Sequence, residues 1–310
     1  MANVRTDIEA VVYKRGFTFV KDLVRNERHR LFVVKQGREK LVIKATAVPS
    51  EMVNLRNEAL AHQFLQPLAP PKATFAFPQT EIWEDGDVFV SASPFVQGTW
   101  LAEKENHGRL TQPLTEKDLE DLFQTMLFLH RIPPSDVPVY FMKRAKKEFT
   151  LEKMLEKQCD YLTPAIGKIL SKKEAERLQA LTRDAEHAQR FVHHDMQLPN
   201  IVRQRNKKLL ITDAEFARWG VKWYDVAYFF LQAELLYNQP VLAKRALRFF
   251  VRRFSEELPG EDLRHEIFFP LSYRLSANIS IALNEPKSHK RVHRMLELIL
   301  EQDLDGMMGR

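Results

Sequence analysis

The first hundred residues alternate apolar and polar side chains in short runs, which favours β-strands over helices. Strands are predicted at 17–23, 30–36, 40–46, 80–84 and 87–93. One helix is expected among them, with Ser50 as its N-cap and with Leu55 and Ala59 on its apolar side. This part of the chain therefore predicts an antiparallel sheet with one helix.

From about the hundredth residue onward, apolar residues recur every three or four positions, which is typical of amphipathic helices. Thr115 with Asp118, and Ser171 with Glu174, have the spacing of N-terminal capping boxes. A hairpin is predicted between the helices, within 200–212. The rest of the chain is expected to be mainly helical.

The composition is that of a folded chain and excludes several kinds of site. Of 310 residues, 45% are hydrophobic and 28% are charged, which rules out disorder as the main state. Cys159 is the single cysteine, so an internal disulfide or a multi-thiolate zinc site cannot form, and a reducing cytoplasmic location is expected. No apolar run approaches the roughly 18 residues of a membrane span. The scattered glycines exclude Rossmann and Walker phosphate loops.

The formal net charge of +6 is compatible with an anionic partner but selects none. Basic runs occur at 143–147, 244–253 and 287–294, without an RNP, KH or zinc-finger signature. We interpret these runs as solvated helix faces and expect no nucleic-acid partner. A nucleic-acid-binding helical protein is retained as an alternative that rests on charge alone.

The residues suited to chemistry are concentrated in one segment of the second half of the chain. It contains H-x-D-x-x-x-x-N from His193 to Asn200, followed after the hairpin by Asp213. Asp195 can orient a hydroxyl, while Asn200 and Asp213 supply oxygens that hold a hard cation at nucleotide phosphates. Phosphoryl transfer requires such a set. Zinc at His193 and His194 is disfavoured because adjacent side chains on an extended segment point to opposite sides.

In these residues the chain resembles the small-molecule branch of the protein-kinase-like fold, the aminoglycoside phosphotransferase and choline kinase group. That group's H-G-D-x-x-x-x-N, I-D-x-E and Y-D-[IL]-A motifs are similar to segments 193–200, 211–215 and 224–227. The resemblance implies an α+β, two-lobed protein-kinase-like fold, with an antiparallel β-sheet N-lobe holding one helix and a mainly helical C-lobe. The implied parts are a nucleotide-binding lobe at 1–93, a hinge at 94–98, and a lobe with the catalytic loop and acceptor site at 99–310.

The resemblance also implies ATP binding by the N-terminal lobe. Lys44 has the position of the lysine that binds the α- and β-phosphates, and Glu58 that of the glutamate that holds it through an ion pair. The carbonyl of Pro94 and the N–H of Val96 are expected beside the adenine, where the missing N–H of proline does no harm. Without the resemblance, Lys44 and Glu58 would be interpreted as surface charges and 94–98 as a simple linker bend.

The activity that the resemblance implies is ATP-dependent phosphorylation of a small-molecule hydroxyl. Asp195 is expected to orient the acceptor and take its proton. Asn200 and Asp213 are expected to hold Mg²⁺, and Asp225 to anchor the loop backbone. A non-catalytic nucleotide-binding pseudokinase scaffold is the alternative, although no key side chain is missing. Choline-like, sugar-like, amino-alcohol and antibiotic acceptors stay open, as do ATP versus GTP and the oligomeric state.

Three features depart from the pattern of this group. The first strand turn lacks a glycine-rich loop, so Arg25, Asn26 and Arg28 are candidates for covering the phosphates. His194 replaces the usual glycine and adds bulk beside the catalytic carboxylate. Glu215 is open to three interpretations: contact with the metal directly or through water, support of a metal ligand, or a helix start.

Overall fold

A computed structural model gives the fold of residues 2–25, 28–103, 109–148, 150–183, 188–283 and 286–309. The chain divides into two compact units. The first unit comprises Met1–Thr99 and Val202–Ala217, and the second comprises Trp100–Ile201 and Arg218–Arg310. The expected hinge at 94–98 and the expected lobe boundaries stay predictions.

The described residues form short strands in the first third of the chain and mostly helices after it. The strands are β1 (Thr18–Arg25), β2 (Arg30–Gln36), β3 (Glu39–Thr46), β4 (Phe75–Ala76), β5 (Glu81–Asp85), β6 (Val88–Pro94), β7 (Gly98–Trp100), β8 (Gln189–Val192), β9 (Ile201–Gln204), β10 (Leu209–Ile211) and β11 (Arg218–Val221). The helices are α1 (Ala2–Lys14), α2 (Pro49–Leu68), α3 (Glu116–His130), α4 (Val139–Glu148), α5 (Leu151–Leu162), α6 (Lys172–Arg183), α7 (Tyr224–Leu231), α8 (Pro240–Glu257), α9 (Leu263–Glu266), α10 (Phe268–Ala282), α11 (Pro286–Leu300) and α12 (Leu304–Met308).

An antiparallel five-stranded sheet forms most of the first unit, in the order β1-β2-β3-β6-β5. Its buried face is formed by apolar residues that alternate along the strands, including Phe32, Val34, Ile43 and Val90. This alternation is the period-two signal of a half-buried sheet. The predicted antiparallel sheet is confirmed.

The sequence analysis expected one helix in this unit, and the structure has two. The additional helix, α1, buries Ile8, Val11 and Val12 in the same core as the sheet. These residues have the i, i+3, i+4 spacing of a helix face, so the signal was present in the sequence. Helix α1 (Ala2–Lys14) is therefore part of the folded unit.

The start of α2 also differs from the prediction. Ser50 is predicted as the N-cap, but the N-cap residue is Val48, two positions earlier, and it makes no side-chain cap. The helix therefore begins at Pro49. Proline suits the first helical position because its missing N–H is one that the helix leaves unbonded there. Pro49 therefore outweighs the capping tendency of serine.

A second sheet has the order β4-β10-β9-β7. The predicted hairpin within 200–212 forms as β9 and β10, and β10 pairs in parallel with β4. The pairing of β10 with β4 joins residues more than 130 positions apart. No local sequence pattern predicts such a contact.

The second unit is mainly helical, apart from the antiparallel pair of β8 and β11. Both predicted capping boxes are confirmed. In the first box, the backbone N–H of Asp118 donates to Thr115 Oγ1, and the backbone N–H of Thr115 donates to the Asp118 carboxylate. In the second, the Ser171 N–H donates to Glu174 Oε2 at 2.7 Å. Among the described residues, none of the helices combines the length and apolar character that a membrane crossing needs.

His130 ends α3 and is buried against aromatic rings. Its ring lies 5.2 Å from the ring of Trp223 and 5.6 Å from that of Phe254, centroid to centroid. Neither ring nitrogen has a hydrogen-bond partner among the described residues. Burial, with smaller effects of nearby cations, lowers the pKa of His130 to about 3. The side chain is therefore neutral in the folded protein at ordinary pH.

We expect His130 to make the protein sensitive to acid. Between the usual histidine pKa of about 6.5 and about pH 3, His130 is protonated in the unfolded chain but neutral in the folded chain. As the pH is lowered through this range, the free energy of unfolding should fall by up to about 1.4 kcal/mol per pH unit for one proton. His130→Phe should make this slope shallower in urea unfolding at pH 4 to 7.

The control for this measurement is His265→Gln, because His265 is exposed. It should keep the slope of the wild-type protein. An unchanged slope in His130→Phe would mean that another group dominates the acid response.

A close approach between β7 and β9 requires glycine at position 98. A Cβ added to Gly98 would lie 2.5 Å from the carbonyl oxygen of Arg203 and 2.5 Å from a methyl group of Val202. Gly98→Ala should lower the free energy of unfolding by about 1–3 kcal/mol, the usual cost of overpacking. Thermal unfolding of this variant, compared with the exposed neighbour Thr99→Ala, measures the effect. Equal melting temperatures in the two variants would contradict it.

Candidate active site

The first unit brings together three of the residues that the sequence singled out. The Nζ of Lys44 on β3 donates to Glu58 Oε2 of α2 at 2.6 Å and to Asp213 Oδ1 at 2.6 Å. Lys44 and Glu58 are buried, and Asp213 is half-buried. Burial disfavours the charged lysine, but the nearby carboxylates outweigh it and raise the pKa of Lys44. This ammonium group is therefore a permanent positive charge.

Asp213 reaches Lys44 from an unusual backbone conformation. Its φ is 63° and its ψ is 45°, the left-handed region, at the start of the 3₁₀ turn Ala214–Phe216. Asp and Asn tolerate this region better than most residues, but it still costs free energy. The turn packs against α2, the helix that carries Glu58. Helix α2 therefore carries Glu58 and also packs against the turn that begins at Asp213.

Glu215 lies in the same turn, buried, with Arg28 Nη2 3.5 Å from its Oε1. Burial and the negative charge of Asp213 raise the pKa of Glu215 to about 7. Arg28 also pairs with Glu51 Oε2 of α2 at 2.8 Å. Of the three candidates for covering the phosphates, Arg28 is thus attached to this acidic cluster, whereas Asn26 lies outside the described residues. The role of Glu215 stays open.

The segment that follows β6 contains the two residues expected beside the adenine. Pro94 ends β6 and is exposed, and Val96 is half-buried. The N–H of Phe95 donates to the carbonyl of Lys40 on β3 at 2.8 Å. Because the two polar groups of a trans peptide point in opposite directions, the Pro94 carbonyl points away from β3. It is therefore available to a ligand on that side.

In the second unit, Asp195 is the centre of a polar cluster. Its Oδ1 accepts from the hydroxyl of Tyr228 at 2.6 Å. Its Oδ2 accepts from Asn200 Nδ2 at 2.8 Å and from Gln197 Nε2 at 3.0 Å. Asp195 is only 9% exposed, so these donors replace water around the carboxylate. They hold both of its oxygens in fixed positions.

The backbone before Asp195 is held by Asp225 of α7. The Asp225 carboxylate accepts the N–H of His193 at 2.9 Å and that of His194 at 2.8 Å. His194 has a φ of 68°, a left-handed conformation that glycine adopts more easily than other residues. Its ring stacks on Tyr224 with centroids 3.6 Å apart. Packing and Asp225 together compensate for the strain.

Tyr228 is a site residue that the sequence analysis missed. It lies on α7, one turn after Tyr224, and every residue of α7 is buried. Burial, and then the negative charge of Asp195, raise the pKa of Tyr228, so its hydroxyl stays protonated and donates. The available signal was a tyrosine in a mainly apolar helix, since a buried phenol needs a hydrogen-bond partner.

The two expected metal ligands lie in different units, Asn200 in the second and Asp213 in the first. Among the described residues there is no cluster of three or more His, Cys, Asp or Glu side chains that could hold a metal. Mg²⁺ does not need one, since it usually takes one or two protein oxygens and completes its shell with phosphates and water. The amide nitrogen of Asn200 is bonded to Asp195, and a side-chain amide also carries an oxygen of the type that Mg²⁺ binds. The donor types therefore fit Mg²⁺.

Comparison with known families assigns most of the chain to one family. A family model described as "Phosphotransferase enzyme family" matches residues 22–265. The chain belongs to the phosphotransferase enzyme family. No curated protein gives a significant sequence match.

Solved structures show the fold of this phosphotransferase family member. The GDP complex of aminoglycoside 2'-phosphotransferase-IIIa matches with a TM-score of 0.62 at 14% identity, over 98% of this chain and 99% of that one. Macrolide 2'-phosphotransferase type I gives 0.61 at 17% identity, over 94% and 96%. A thermostable mutant of APH(4)-Ia, in complex with ADP and hygromycin B, gives 0.60 at 15% identity, over 95% and 98%. The predicted protein-kinase-like fold, with its antiparallel sheet and helical C-terminal region, is confirmed.

Asp225 should be a major contributor to stability. Asp225→Ala removes the acceptor of two buried backbone N–H groups, and each hydrogen bond to a charged group is worth about 1.5–3 kcal/mol. We expect the free energy of unfolding to fall by about 3 kcal/mol or more, measured by denaturant titration.

The matched variant is Asp225→Asn, whose single amide oxygen replaces only part of the interaction and should give an intermediate loss. If Asp225→Ala and Asp225→Asn lower the free energy of unfolding by the same small amount, Asp225 does not anchor this loop.

Proposed function

We propose that this family member transfers the γ-phosphate of ATP to a hydroxyl of a small molecule. The observation that carries the proposal is the position of Lys44, whose ammonium group is bonded to both Glu58 and Asp213 at 2.6 Å. A lysine held in this way presents a fixed positive charge to nucleotide phosphates. In the proposed reaction it binds the α- and β-phosphates, and the carbonyl of Pro94 and the N–H of Val96 bind the adenine.

Asp195 is the proposed catalytic residue. Its carboxylate accepts a hydrogen bond from the acceptor hydroxyl, orients it, and takes its proton as the phosphoryl group arrives. Tyr228, Gln197 and Asn200 hold the carboxylate for this task. The phenol of Tyr228 keeps Oδ1 in place, since its own proton is not lost at ordinary pH.

Asn200 and Asp213 are the proposed Mg²⁺ ligands, through the amide oxygen and the carboxylate. When bound, Mg²⁺ neutralises charge on the phosphates. Most of the acceleration would come from alignment and charge neutralisation, because this reaction asks little covalent chemistry of the protein. ATP is proposed as the donor, in a cytoplasmic setting.

The acceptor is proposed to be a small molecule with a hydroxyl group. Structural neighbours have been solved with hygromycin B and with streptomycin, which supports a small-molecule class but not an antibiotic for this chain. A non-catalytic scaffold gains no support, because Lys44, Asp195, Asn200 and Asp213 are all retained.

Replacing Asp195 separates catalysis from nucleotide binding. Asp195→Ala should abolish turnover, because nothing then orients the acceptor or takes its proton, whereas stabilisation by ATP and Mg²⁺ should stay nearly intact. The measurement is ADP release over a library of alcohols, sugars and aminoglycosides, with thermal shift as the binding readout.

The control is Lys44→Met, which should weaken both nucleotide binding and turnover. Equal turnover by Asp195→Ala and the wild-type protein would refute the role of Asp195. Nucleotide stabilisation without any phosphorylated product across the library would favour the scaffold.

A further inference from the structure

Four cations act on His194, the residue beside Asp195. Burial is the main reason that the pKa of His194 lies well below its ordinary value. The charges that contribute most after burial are all cations: Arg218, Arg274, Lys157 and Arg144. They come from a strand and from three different helices of the second unit. The tertiary fold, and not one basic run, therefore creates this field.

Arg274 of α10 is the cation whose position relates most directly to Asp195. Its guanidinium carbon lies 3.9 Å from the centroid of the Tyr228 ring, and its Nη1 donates to the hydroxyl of Tyr224 at 3.2 Å. The hydroxyl of Tyr228 in turn donates to Asp195 at 2.6 Å. A single phenol ring thus separates the guanidinium from the carboxylate.

Arg274 has no anionic partner at ion-pair distance within the described part of the chain. It forms no salt bridge there, its Nε is buried without a hydrogen-bond partner, and Asp195 acts on it only through space. A guanidinium cannot lose its proton in a protein. Desolvating a cation while leaving a donor unused costs free energy. An anionic ligand would recover this cost.

Lys157 of α5 adds a second cation that forms no ion pair with any described residue. It is exposed, and its Nζ lies 6.0 Å from the ring centroid of Tyr161. Tyr161 contacts Tyr273, and Tyr273 contacts Tyr224, with centroids 6.4 Å apart in both pairs. Aromatic rings thus connect Lys157 to the surroundings of Arg274.

The carboxylates of this region do not suit a polycationic acceptor. Asp225 is buried and bonded to two backbone N–H groups. Asp195 is required for the acceptor hydroxyl. A polycation such as an aminoglycoside would meet the positive charge of Arg274 close to Asp195, and like charges repel strongly where water is excluded.

We propose that the acceptor is an anionic alcohol, a hydroxyl compound that also carries a carboxylate or a phosphate. Its hydroxyl binds at Asp195 and its anionic group binds the guanidinium of Arg274, which favours bidentate contact with such groups. The hydroxyl part of this inference rests on the function proposed above for Asp195. Arg274 then acts as the specificity-determining residue, and Lys157 adds a weaker attraction at the surface.

Four short alcohols that differ in the charge of their second group test the inference: 3-hydroxypropanoate, 3-hydroxypropyl phosphate, 3-hydroxypropanamide and 3-aminopropan-1-ol. Binding is measured by calorimetry with ADP and Mg²⁺ present, and ADP release is measured with ATP. The carboxylate or the phosphate compound should bind more tightly than the amide and the amine, and the better of the two identifies the anion. Arg274→Gln should reduce this preference by about ten- to a hundred-fold, the usual worth of hydrogen bonds to a charged group.

The charge-preserving variant Arg274→Lys should retain part of the preference. Arg264→Gln is the matched control, because Arg264 is exposed and already pairs with Asp305, and it should behave as the wild-type protein. Tighter binding of the amine, similar or undetectable binding of all four compounds, or a preference unchanged in Arg274→Gln would overturn the inference.

The two proposals fail in different ways. Phosphorylation of the amine in preference to the anions would overturn the anionic acceptor and leave the kinase activity standing. Anion binding that depends on Arg274, without ADP release, would support the anion site and count against the kinase activity.

Discussion

The pairing of Lys44 with two carboxylates determines the organisation of the first unit. A buried cation is tolerated only with anions beside it, and removing one partner leaves an uncompensated charge. The partners come from α2 and from the turn after β10, so three segments far apart in the sequence must meet at one atom. The left-handed backbone of Asp213 is a cost that this meeting imposes.

The elements that sequence reasoning predicted well are those whose signals are local. Strand alternation, the capping boxes at Thr115 and Ser171, and the hairpin within 200–212 all depend on residues a few positions apart. The candidate residues Lys44, Glu58, Asp195 and Asn200 were found because fixed spacings resemble those of a known group. Such spacings identify which side chains are present, but they do not show what surrounds them.

The features that escaped prediction depend on contacts distant in sequence. Tyr228 reaches Asp195 from 33 positions away, and Arg274 contacts Tyr228 from another helix. A tyrosine in a mainly apolar helix indicates that its hydroxyl has a partner but does not show which one. An arginine in a helix carries no signal at all. Helix α1 is different, because the helical spacing of Ile8, Val11 and Val12 is a local signal that the sequence contains.

The inclusion of Val202–Ala217 in the first unit affects how the chain acquires its structure during synthesis. A ribosome that has released the first hundred residues has not yet made β9 and β10, so the sheet containing β4 and β7 still lacks its middle strands. Chains generally fold in units from the N-terminus as they emerge. Here the first unit must wait for more than a hundred residues of its partner, a period in which unpaired strand edges are open to association with other chains.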